Sequence, residues 1–339
     1  MIRLGTIGTS WITAQFIEAA QASNMYHVRA VYSRQADKAR ELAQRYGVDY
    51  YSDELNNLLF DPEIDAIYVA SPNSVHFEQT MRAIRAGKHV IVEKPMFSSV
   101  EQWQEAHALA KKMNVMLFEA VVHVHGANYK RLKQLVNMKR EELQRPFLGA
   151  NLNIGQYSSK YTAYTDAMDN QPESVPNVFN LAMSGGTLMD IGVYPLYVAI
   201  DLFGIPSSVR YHAMKGPNAV DLFGNIILSY DTYQVNLFIS KAVHSIMPSE
   251  IYMDDETIVI EGITRIDKVH VINTKGQAAT VIEYKPSNPM AGEVEHFAEM
   301  MMKRDDVHQQ LLYENWTQLS LQVAQVMEDI RQSANLKLN

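Results

Sequence analysis

Asp190 and Tyr194 place a carboxylate and a phenol four residues apart, just after the glycine pair Gly185-Gly186. If the apolar run that follows is helical, both side chains lie on one face, one turn apart. Pro195 is tolerated only in the first turn of a helix, so the pair is expected near a helix N-terminus. Such a pair can bind a substrate hydroxyl and exchange a proton with it. The alternative is a buried amphipathic helix in which Asp190 is only the cap.

Lys94 is a second candidate for proton chemistry, because it leaves a predicted buried strand in the sequence Glu93-Lys94-Pro95. Proline removes a backbone donor and fixes the local turn, so the lysine is expected to be held at the strand end. Beside another cation its pKa should fall, which suits proton transfer. The alternative is a surface lysine paired with Glu93.

The composition is that of a soluble globular protein: 339 residues, 47% hydrophobic and 20% charged, with a net charge of −8. This length favours two domains. The acidic balance, with no lysine-arginine cluster, argues against nucleic acid or an anionic membrane as a partner. The absence of cysteine excludes disulfides and thiolate ligands and fits a cytoplasmic protein. We expect neither a signal peptide nor a membrane-spanning run.

Short apolar runs alternate with helical segments through the first 120 residues. This alternation predicts a doubly wound parallel sheet. The predicted strands cover residues 2–7, 27–32, 66–70, 89–92 and 115–119.

The first strand-to-helix turn is the place where dinucleotide-binding proteins carry G-x-G-x-x-G/A. Gly8 fits the first position, and Ser10 and Thr13 are small substitutes for the other two. Ser10 also offers a hydroxyl to a phosphate beside the helix N-terminus. The residues predicted to bind the cofactor here are Gly8, Thr9, Ser10, Trp11 and Ile12.

Ser33 and Arg34 follow the second strand, with Lys38 one turn further, where an NAD-preferring protein usually has an acid. A hydroxyl and a guanidinium suit a 2′-phosphate. We therefore predict NADP(H) as the preferred cofactor and NAD(H) as the second candidate. The alternative is a solvated Arg34 paired with Asp37.

Polar residues also follow the predicted strands 66–70 and 89–92, at the carboxyl edge where doubly wound sheets bind ligands. His76 opens the next helix there and is a candidate contact to nicotinamide or substrate. The residues predicted to bind the cofactor at this edge are Ser71, Pro72, Asn73, His76, Glu93 and Lys94.

After Glu119 a helix is expected over 128–142 and a strand over 147–155, followed by the polar loop 156–184. A loop of that length is too long to be idle in a compact domain. It could close over a polar substrate, and the candidate contacts in it are Tyr157, Tyr161, Tyr164 and Asn177. A surface excursion and an oligomer contact are the alternatives.

From residue 208 to 284 the hydrophobic period is two, which predicts a mixed or antiparallel sheet with one face left for packing. Two helices, 293–303 and 313–331, finish the chain. The uncovered sheet face predicts a homodimer or homotetramer. His123 and His125 would face one side of a strand, but only Glu119 accompanies them, so no metal site is predicted.

Together, Gly8-Thr9-Ser10, Ser33-Arg34, Glu93-Lys94-Pro95 and the run from Gly185 to Tyr194 resemble the Gfo/Idh/MocA oxidoreductases, named for glucose-fructose oxidoreductase and inositol dehydrogenase. The resemblance covers nearly the whole chain. It implies a Rossmann domain, 1–121, and an α/β domain for substrate binding and oligomerisation, 122–339, with an open, largely antiparallel sheet. It also implies that the catalytic group is Lys94, Asp190 and Tyr194. Tyrosine at 194 is closer to the glucose-fructose oxidoreductase and dihydrodiol dehydrogenase branches than to inositol dehydrogenase.

The implied activity is NAD(P)-dependent hydride transfer at a hydroxyl- or carbonyl-bearing carbon of a sugar, polyol or diol-like substrate. Tyr194 would be the acid or base, Lys94 the cation beside it, and Asp190 would orient the substrate hydroxyl or Lys94. A non-catalytic nucleotide-binding regulator and an NAD-dependent glycosidase of the same fold are the alternatives. The expected substrate contacts are Lys94, His123, Tyr157, Asn177, Asp190 and Tyr194.

Overall fold

The structure, a computed structural model, describes residues 1–337, which fall into two compact units. Unit one takes Met1–Val122 and Pro286–Gln318. Unit two takes His123–Lys285 and Leu319–Asn339, of which residues 338 and 339 lie outside the described part. The expected division into 1–121 and 122–339 differs from this one, because it leaves the 286–318 segment with the second half of the chain.

Unit one is built on six parallel strands in the order β3-β2-β1-β4-β5-β6, which confirms the doubly wound sheet. Its short third strand was not predicted. The strands are β1 Ile2–Ile7, β2 Tyr26–Tyr32, β3 Tyr50–Ser52, β4 Ala66–Val69, β5 His89–Glu93 and β6 Leu117–Ala120. The helices between them are α1 Trp11–Ser23, α2 Ala36–Tyr46, α3 Leu55–Leu59, α4 His76–Arg85 and α5 Val100–Met113. The strand order reverses between β1 and β4, which is where such sheets bind their ligands.

Unit two is built on an eight-stranded sheet in the order β14-β13-β12-β11-β7-β10-β9-β8. Every neighbouring pair is antiparallel except β7 and β10, so the prediction of a largely antiparallel sheet is confirmed. The strands are β7 Phe147–Gly155, β8 Ser208–Lys215, β9 Asp221–Ser229, β10 Gln234–Ser240, β11 Ser249–Met253, β12 Glu256–Glu261, β13 Lys268–Asn273 and β14 Ala278–Glu283. The helices of this half of the chain are α6 Val122–His125, α7 Ala127–Asn137, α8 Tyr161–Asn170, α9 Val193–Phe203, α10 Ala291–Met302 and α11 Val307–Ser333.

The 286–318 segment returns to unit one through α10 and the first part of α11. Phe118 of β6 stacks on Phe297 of α10, with 4.7 Å between the ring centroids. The Leu117 N–H donates to the Tyr313 hydroxyl at 3.1 Å, and the Tyr26 hydroxyl donates to the Val294 carbonyl at 3.1 Å. These contacts join residues far apart in the chain, so no local pattern marks the segment as part of unit one.

One local expectation in unit two was wrong, and another was met with a change of helix type. His123 and His125 lie in the short helix α6, not on a strand, because the chain turns after β6 and the Gly126 N–H bonds back to the His123 carbonyl at 3.1 Å. The helix expected over 128–142 is α helical only to Asn137 and ends in a π-helical turn, Met138–Glu142.

The segment 156–184 is packed rather than loose, although it reads as a polar loop. It contains α8 and short 3₁₀ turns. Tyr164 and Phe179 are buried with Val220 and Leu222 in one apolar cluster. The Tyr164 hydroxyl donates to Asn218 Oδ1 at 3.0 Å. A segment held in this way needs no partner to order it.

Within the described residues, one helical stretch, Leu181–Phe203, is apolar and long enough to cross a membrane. Of its most apolar window, 83% is buried inside the protein. The stretch is therefore built as a core element of unit two.

Candidate active site

Asp190 and Tyr194 are partly exposed residues in an otherwise buried segment of unit two. The run passes through a π-helical turn, Leu188–Gly192, into α9. Across residues 184–203 every residue is buried except Asp190, Tyr194 and Asp201. Asp201 is held inside the unit by the Tyr129 hydroxyl at 2.6 Å. Asp190 and Tyr194 thus remain as the polar side chains that reach the surface where this buried element begins.

The glycine pair before this turn allows other parts of unit two to approach closely. A Cβ on Gly185 would lie 2.5 Å from the Asn177 carbonyl oxygen and 2.8 Å from that of Asn180. Gly186 has a φ of +122°, and a Cβ there would overlap the Asp221 carboxylate. The close approach that the glycines permit is therefore made by the protein itself.

Asp221 is the residue that caps the helical turn. Its Oδ2 accepts the Leu188 N–H at 2.7 Å and the Tyr211 hydroxyl at 2.9 Å. The Thr187 hydroxyl donates to the Asp221 and Leu222 carbonyls at 2.9 and 2.7 Å. Burial raises the pKa of Asp221, and the bonds from Leu188 and Tyr211 oppose that rise. The interpretation of Asp190 as the cap does not hold.

Asp190 instead forms an ion pair with Lys241, a residue that the sequence reasoning missed. Lys241 directly follows β10 and is 6% exposed, and its Nζ bonds to Asp190 Oδ2. The alternation of buried residues along β10 could have identified Lys241 from the sequence. Val235, Leu237 and Ile239 are buried at every second position, and Lys241 falls on the same phase. A charge on the buried phase of a strand requires a partner.

His123 lies against Tyr194 within unit two. Its Nε2 is 3.0 Å from the Tyr194 carbonyl oxygen, and the ring centroids are 5.2 Å apart. The imidazole is buried, so it holds the backbone of Tyr194. Of the other predicted substrate contacts, Tyr157 is exposed and packs on Tyr161 at 5.4 Å between centroids, while Asn177 is exposed with its carbonyl facing Gly185.

In unit one, Gly8 fits the turn of a dinucleotide site. Its φ is +114°, and a Cβ there would lie 2.5 Å from the Ala70 carbonyl oxygen, so only glycine lets β1 meet the end of β4. Ser10 is the N-cap of α1, and its side chain makes no capping bond. The exposed Ser10 hydroxyl and the N-terminus of α1 therefore suit a pyrophosphate. Thr9 and Ile12 are half-buried beside them, and Trp11 is exposed.

Lys94 is partly exposed in an otherwise buried segment of unit one. Across residues 90–97 it alone is not buried. Glu93 lies beneath it, where its Oε1 accepts the Tyr68 hydroxyl at 2.5 Å. Burial raises the pKa of Glu93, against which the Tyr68 bond and the Lys94 charge act. Glu119 Oε1 accepts the Met96 N–H at 3.0 Å and fixes the loop after Lys94. Because Glu93 is buried, Lys94 and Glu93 do not form an exposed surface pair.

His76 ties together the loops that follow β4 and β5. Its Nδ1 is 3.2 Å from the Pro95 carbonyl oxygen and its Nε2 is 2.8 Å from that of Ser71. Burial lowers the pKa of the imidazole. Both ring nitrogens face backbone carbonyls, so His76 lies between the two loops and bears on the position of each. Ser71 donates to Gln79 Oε1 at 2.7 Å. Pro72 is exposed and Asn73 is half-buried.

The end of β2 presents a hydroxyl and two cations. Arg34 and Lys38 are exposed, and Ser33 Oγ accepts the Gln35 N–H at 3.2 Å. Asp37 pairs with Arg40 at 2.7 Å, so the pairing of Arg34 with Asp37 that the sequence allowed is not the one formed.

Among the residues that the structure describes, no group of three or more His, Asp or Glu is placed to hold a metal ion.

A doubly wound sheet with this glycine turn is the architecture of dinucleotide-binding proteins. Residues 2–121 match the Gfo/Idh/MocA model, an oxidoreductase family with an NAD-binding Rossmann fold. The scyllo-inositol 2-dehydrogenase (NADP(+)) IolU of Bacillus subtilis is 34% identical over 336 residues, covering 99% of this chain and 98% of that protein. The chain belongs to the Gfo/Idh/MocA oxidoreductase family, as the resemblance predicted.

Other similar proteins extend the range of the family. A trans-1,2-dihydrobenzene-1,2-diol dehydrogenase of Xenopus tropicalis is 26% identical over 227 residues, covering 66% of this chain and 63% of that protein. The crystal structure of KijD10, a 3-ketoreductase from Actinomadura kijaniata in complex with NADP and TDP-benzene, has a TM-score of 0.82 at 22% identity and covers 98% of this chain and 97% of that one. The relatives thus include an inositol dehydrogenase as well as a dihydrodiol dehydrogenase.

We predict that Gly186→Ala destabilises unit two by about 2–4 kcal/mol, because the methyl group meets the Asp221 carboxylate and the backbone is left-handed. Gly276→Ala is the matched control: its φ is +74°, but nothing lies within 4 Å of the added Cβ. Urea unfolding measures both variants. Equal losses of free energy of unfolding would show that the contact with Asp221 is unimportant.

Proposed function

We propose that this oxidoreductase prefers NADP(H) and transfers a hydride at a hydroxyl- or carbonyl-bearing carbon of a polyol or sugar. The observation that carries the proposal is the exposure pattern. Lys94 in unit one and Asp190 with Tyr194 in unit two are the surface-reaching polar groups of otherwise buried runs. The name of the full-length relative, an NADP(+)-dependent scyllo-inositol dehydrogenase, supports the substrate class. The test is absorbance at 340 nm with inositols, sugars and diols; no turnover across that panel contradicts the proposal.

The residues of unit one fit the cofactor part by part. Gly8 through Ile12 would hold the pyrophosphate at the N-terminus of α1. Ser33, Arg34 and Lys38 would bind the 2′-phosphate of the adenosine ribose. The 71–73 loop with Glu93 and Lys94 would border the nicotinamide, with His76 holding the two loops together. When bound, the cofactor supplies or accepts the hydride.

The protein's own part is to move one proton and hold the substrate. Tyr194 is the proposed acid or base, and a phenol needs a neighbouring cation to act near neutral pH. Lys94 is the proposed cation. Asp190, as a carboxylate, is proposed to accept a hydrogen bond from a substrate hydroxyl. His123 holds the backbone of Tyr194, and Tyr157 and Asn177 are proposed to contact the outer part of the substrate.

Arg34→Ala should weaken NADPH binding more than NADH binding by about 10- to 100-fold, because only NADPH carries the phosphate that the guanidinium would bind. Arg40→Ala is the control, since Arg40 is an exposed arginine of α2 that already pairs with Asp37. Fluorescence titration of both cofactors checks the result. Tighter binding of NADH by the unaltered protein would overturn the NADP(H) preference.

Tyr194→Phe should lower kcat by roughly 10²–10⁴, because it removes the proposed acid or base while keeping the ring. Lys94→Met should abolish turnover and leave cofactor binding nearly unchanged, because Lys94 is assigned to the proton and not to the phosphates. Steady-state kinetics and the pH profile separate the roles. Loss of the alkaline limb in Tyr194→Phe fits the phenol, whereas a nearly normal rate and an unchanged profile would exclude it.

We further propose a homodimer or homotetramer formed through the outer face of the sheet of unit two, in a cytoplasmic protein. That face presents Asn151, Asn236 and the half-buried Phe238, and Asn236 Nδ2 donates to Asn151 Oδ1 at 3.0 Å. Light scattering at micromolar concentration should give a multiple of the chain mass. Phe238→Arg should shift the mass toward one chain, and Phe60→Arg, at a 71% exposed site of unit one, should not. A monomer before any substitution contradicts this proposal.

A further inference from the structure

Lys241 and Asp190 form an asymmetric ion pair in unit two. The lysine side chain is 8% exposed and the aspartate side chain is 30% exposed. The ammonium is therefore inside the unit, whereas the carboxylate that it binds extends to the surface. An ion pair of this kind is weak evidence for a stabilising role, because removing an ammonium from water offsets much of the attraction.

The backbone around Lys241 is bonded on both sides. Its N–H donates to the Leu222 carbonyl at 3.0 Å, and its carbonyl accepts the Ser158 N–H at 2.9 Å. The Ser240 hydroxyl accepts the Ala242 and Val243 N–H groups at 3.1 and 3.0 Å and closes the turn that follows. The backbone from which the Lys241 side chain extends is therefore held in place at the end of β10.

Gly192 brings the turn that carries Asp190 onto the same strand. A Cβ at this position would lie 3.0 Å from Leu188 Cδ1 and 3.2 Å from Ile239 Cδ1. Ile239 is two residues before Lys241 on β10. A side chain at 192 would crowd the ends of the Leu188 and Ile239 side chains, so glycine allows the turn to lie close to the strand.

We propose that Lys241 is a positioning residue for the reaction, which holds the Asp190 carboxylate ionised and in one orientation so that it accepts a hydrogen bond from a substrate hydroxyl. The inference rests on the role given to Asp190 in the proposed function. It also narrows the substrate class. A fixed, charged acceptor selects substrates that carry a hydroxyl donor next to the reacting carbon, because bonds to a charged acceptor are about twice as strong as neutral ones.

Other ionisable groups lie on or against the same helical segment. Tyr194 follows on α9, His123 bonds the Tyr194 carbonyl, and Asp221 caps the turn at Leu188. Of these, Asp221 would add negative charge, so it does not replace the ammonium. Lys241 is bonded directly to Asp190, so replacing it with a neutral residue removes one positive charge beside that carboxylate.

A double-mutant cycle tests whether Lys241 acts through Asp190. Lys241→Met should lower kcat/KM at least about tenfold, and Lys241→Arg should restore part of the loss. Asp190→Asn combined with Lys241→Met should match Asp190→Asn alone within about twofold, since the lysine has nothing left to position. Losses that multiply in the double variant would overturn the inference.

Lys139→Met is the matched control, because Lys139 forms another buried lysine–carboxylate pair of unit two, with Glu256. It should lower the Tm but leave kcat/KM unchanged. If Lys139→Met lowers kcat/KM as much as Lys241→Met, both losses report general damage to the unit and the inference is wrong.

A measurement without substrate separates this inference from the proposed function. In protein labelled with ¹³C-aspartate, the carboxyl signal of Asp190 is assigned by its absence in Asp190→Asn and followed against pH. Its titration midpoint should rise by about 1–3 pH units in Lys241→Met, as for a carboxylate that loses an adjacent cation. An unchanged midpoint overturns the inference even if the enzyme is active. A raised midpoint supports it even if no polyol or sugar is turned over.

Discussion

The candidate site of unit two depends on the hydrogen bonds that the buried carboxylate of Asp221 accepts. The carboxylate accepts the Leu188 N–H and the Tyr211 hydroxyl, and it occupies the space that a side chain at Gly186 would fill. A helix N-terminus leaves backbone donors without partners, and a buried anion is a strong acceptor for them. By satisfying the start of the turn from inside, Asp221 leaves the Asp190 carboxylate out of the capping interaction.

In unit one, too, some polar residues hold the backbone while a different residue reaches the surface. Gly8 lets the end of β1 approach the Ala70 carbonyl, and His76 and Glu119 hold the loops after β4 and β5 through backbone groups. Glu93 is engaged with Tyr68 beneath the surface. Lys94 is the side chain that reaches the surface in this segment. The polar groups next to it are already hydrogen-bonded within unit one, so they hold its backbone in place. Precise placement of a reacting group requires a backbone held in this way.

Sequence periodicity predicted most of the fold because strands and helices are decided by local patterns of burial. The strands of unit two were found by their period of two. Asp190, Tyr194 and Lys94 were proposed as site residues from their place at element ends. Asp221 and Lys241 were not found, because each acts on a residue 33 or 51 positions away in the chain. β3 was missed because its three residues are too few for a period. The 156–184 segment was taken for a loop because its anchor, the bond from Tyr164 to Asn218, spans 54 positions.

The helix α9 and the turn before it offer an internal comparison between two aspartates. Asp201 accepts from Tyr129 and Lys133 at 2.6 Å each, and burial raises the pKa of the Tyr129 phenol, so that its proton stays available for the bond. Asp201 is 13% exposed, and its two donors both come from α7. Asp190 is also paired with a lysine, yet 30% of its side chain is exposed. The ion pair is common to both aspartates. Exposure therefore separates a carboxylate that fastens one helix to another from a carboxylate that can meet a ligand.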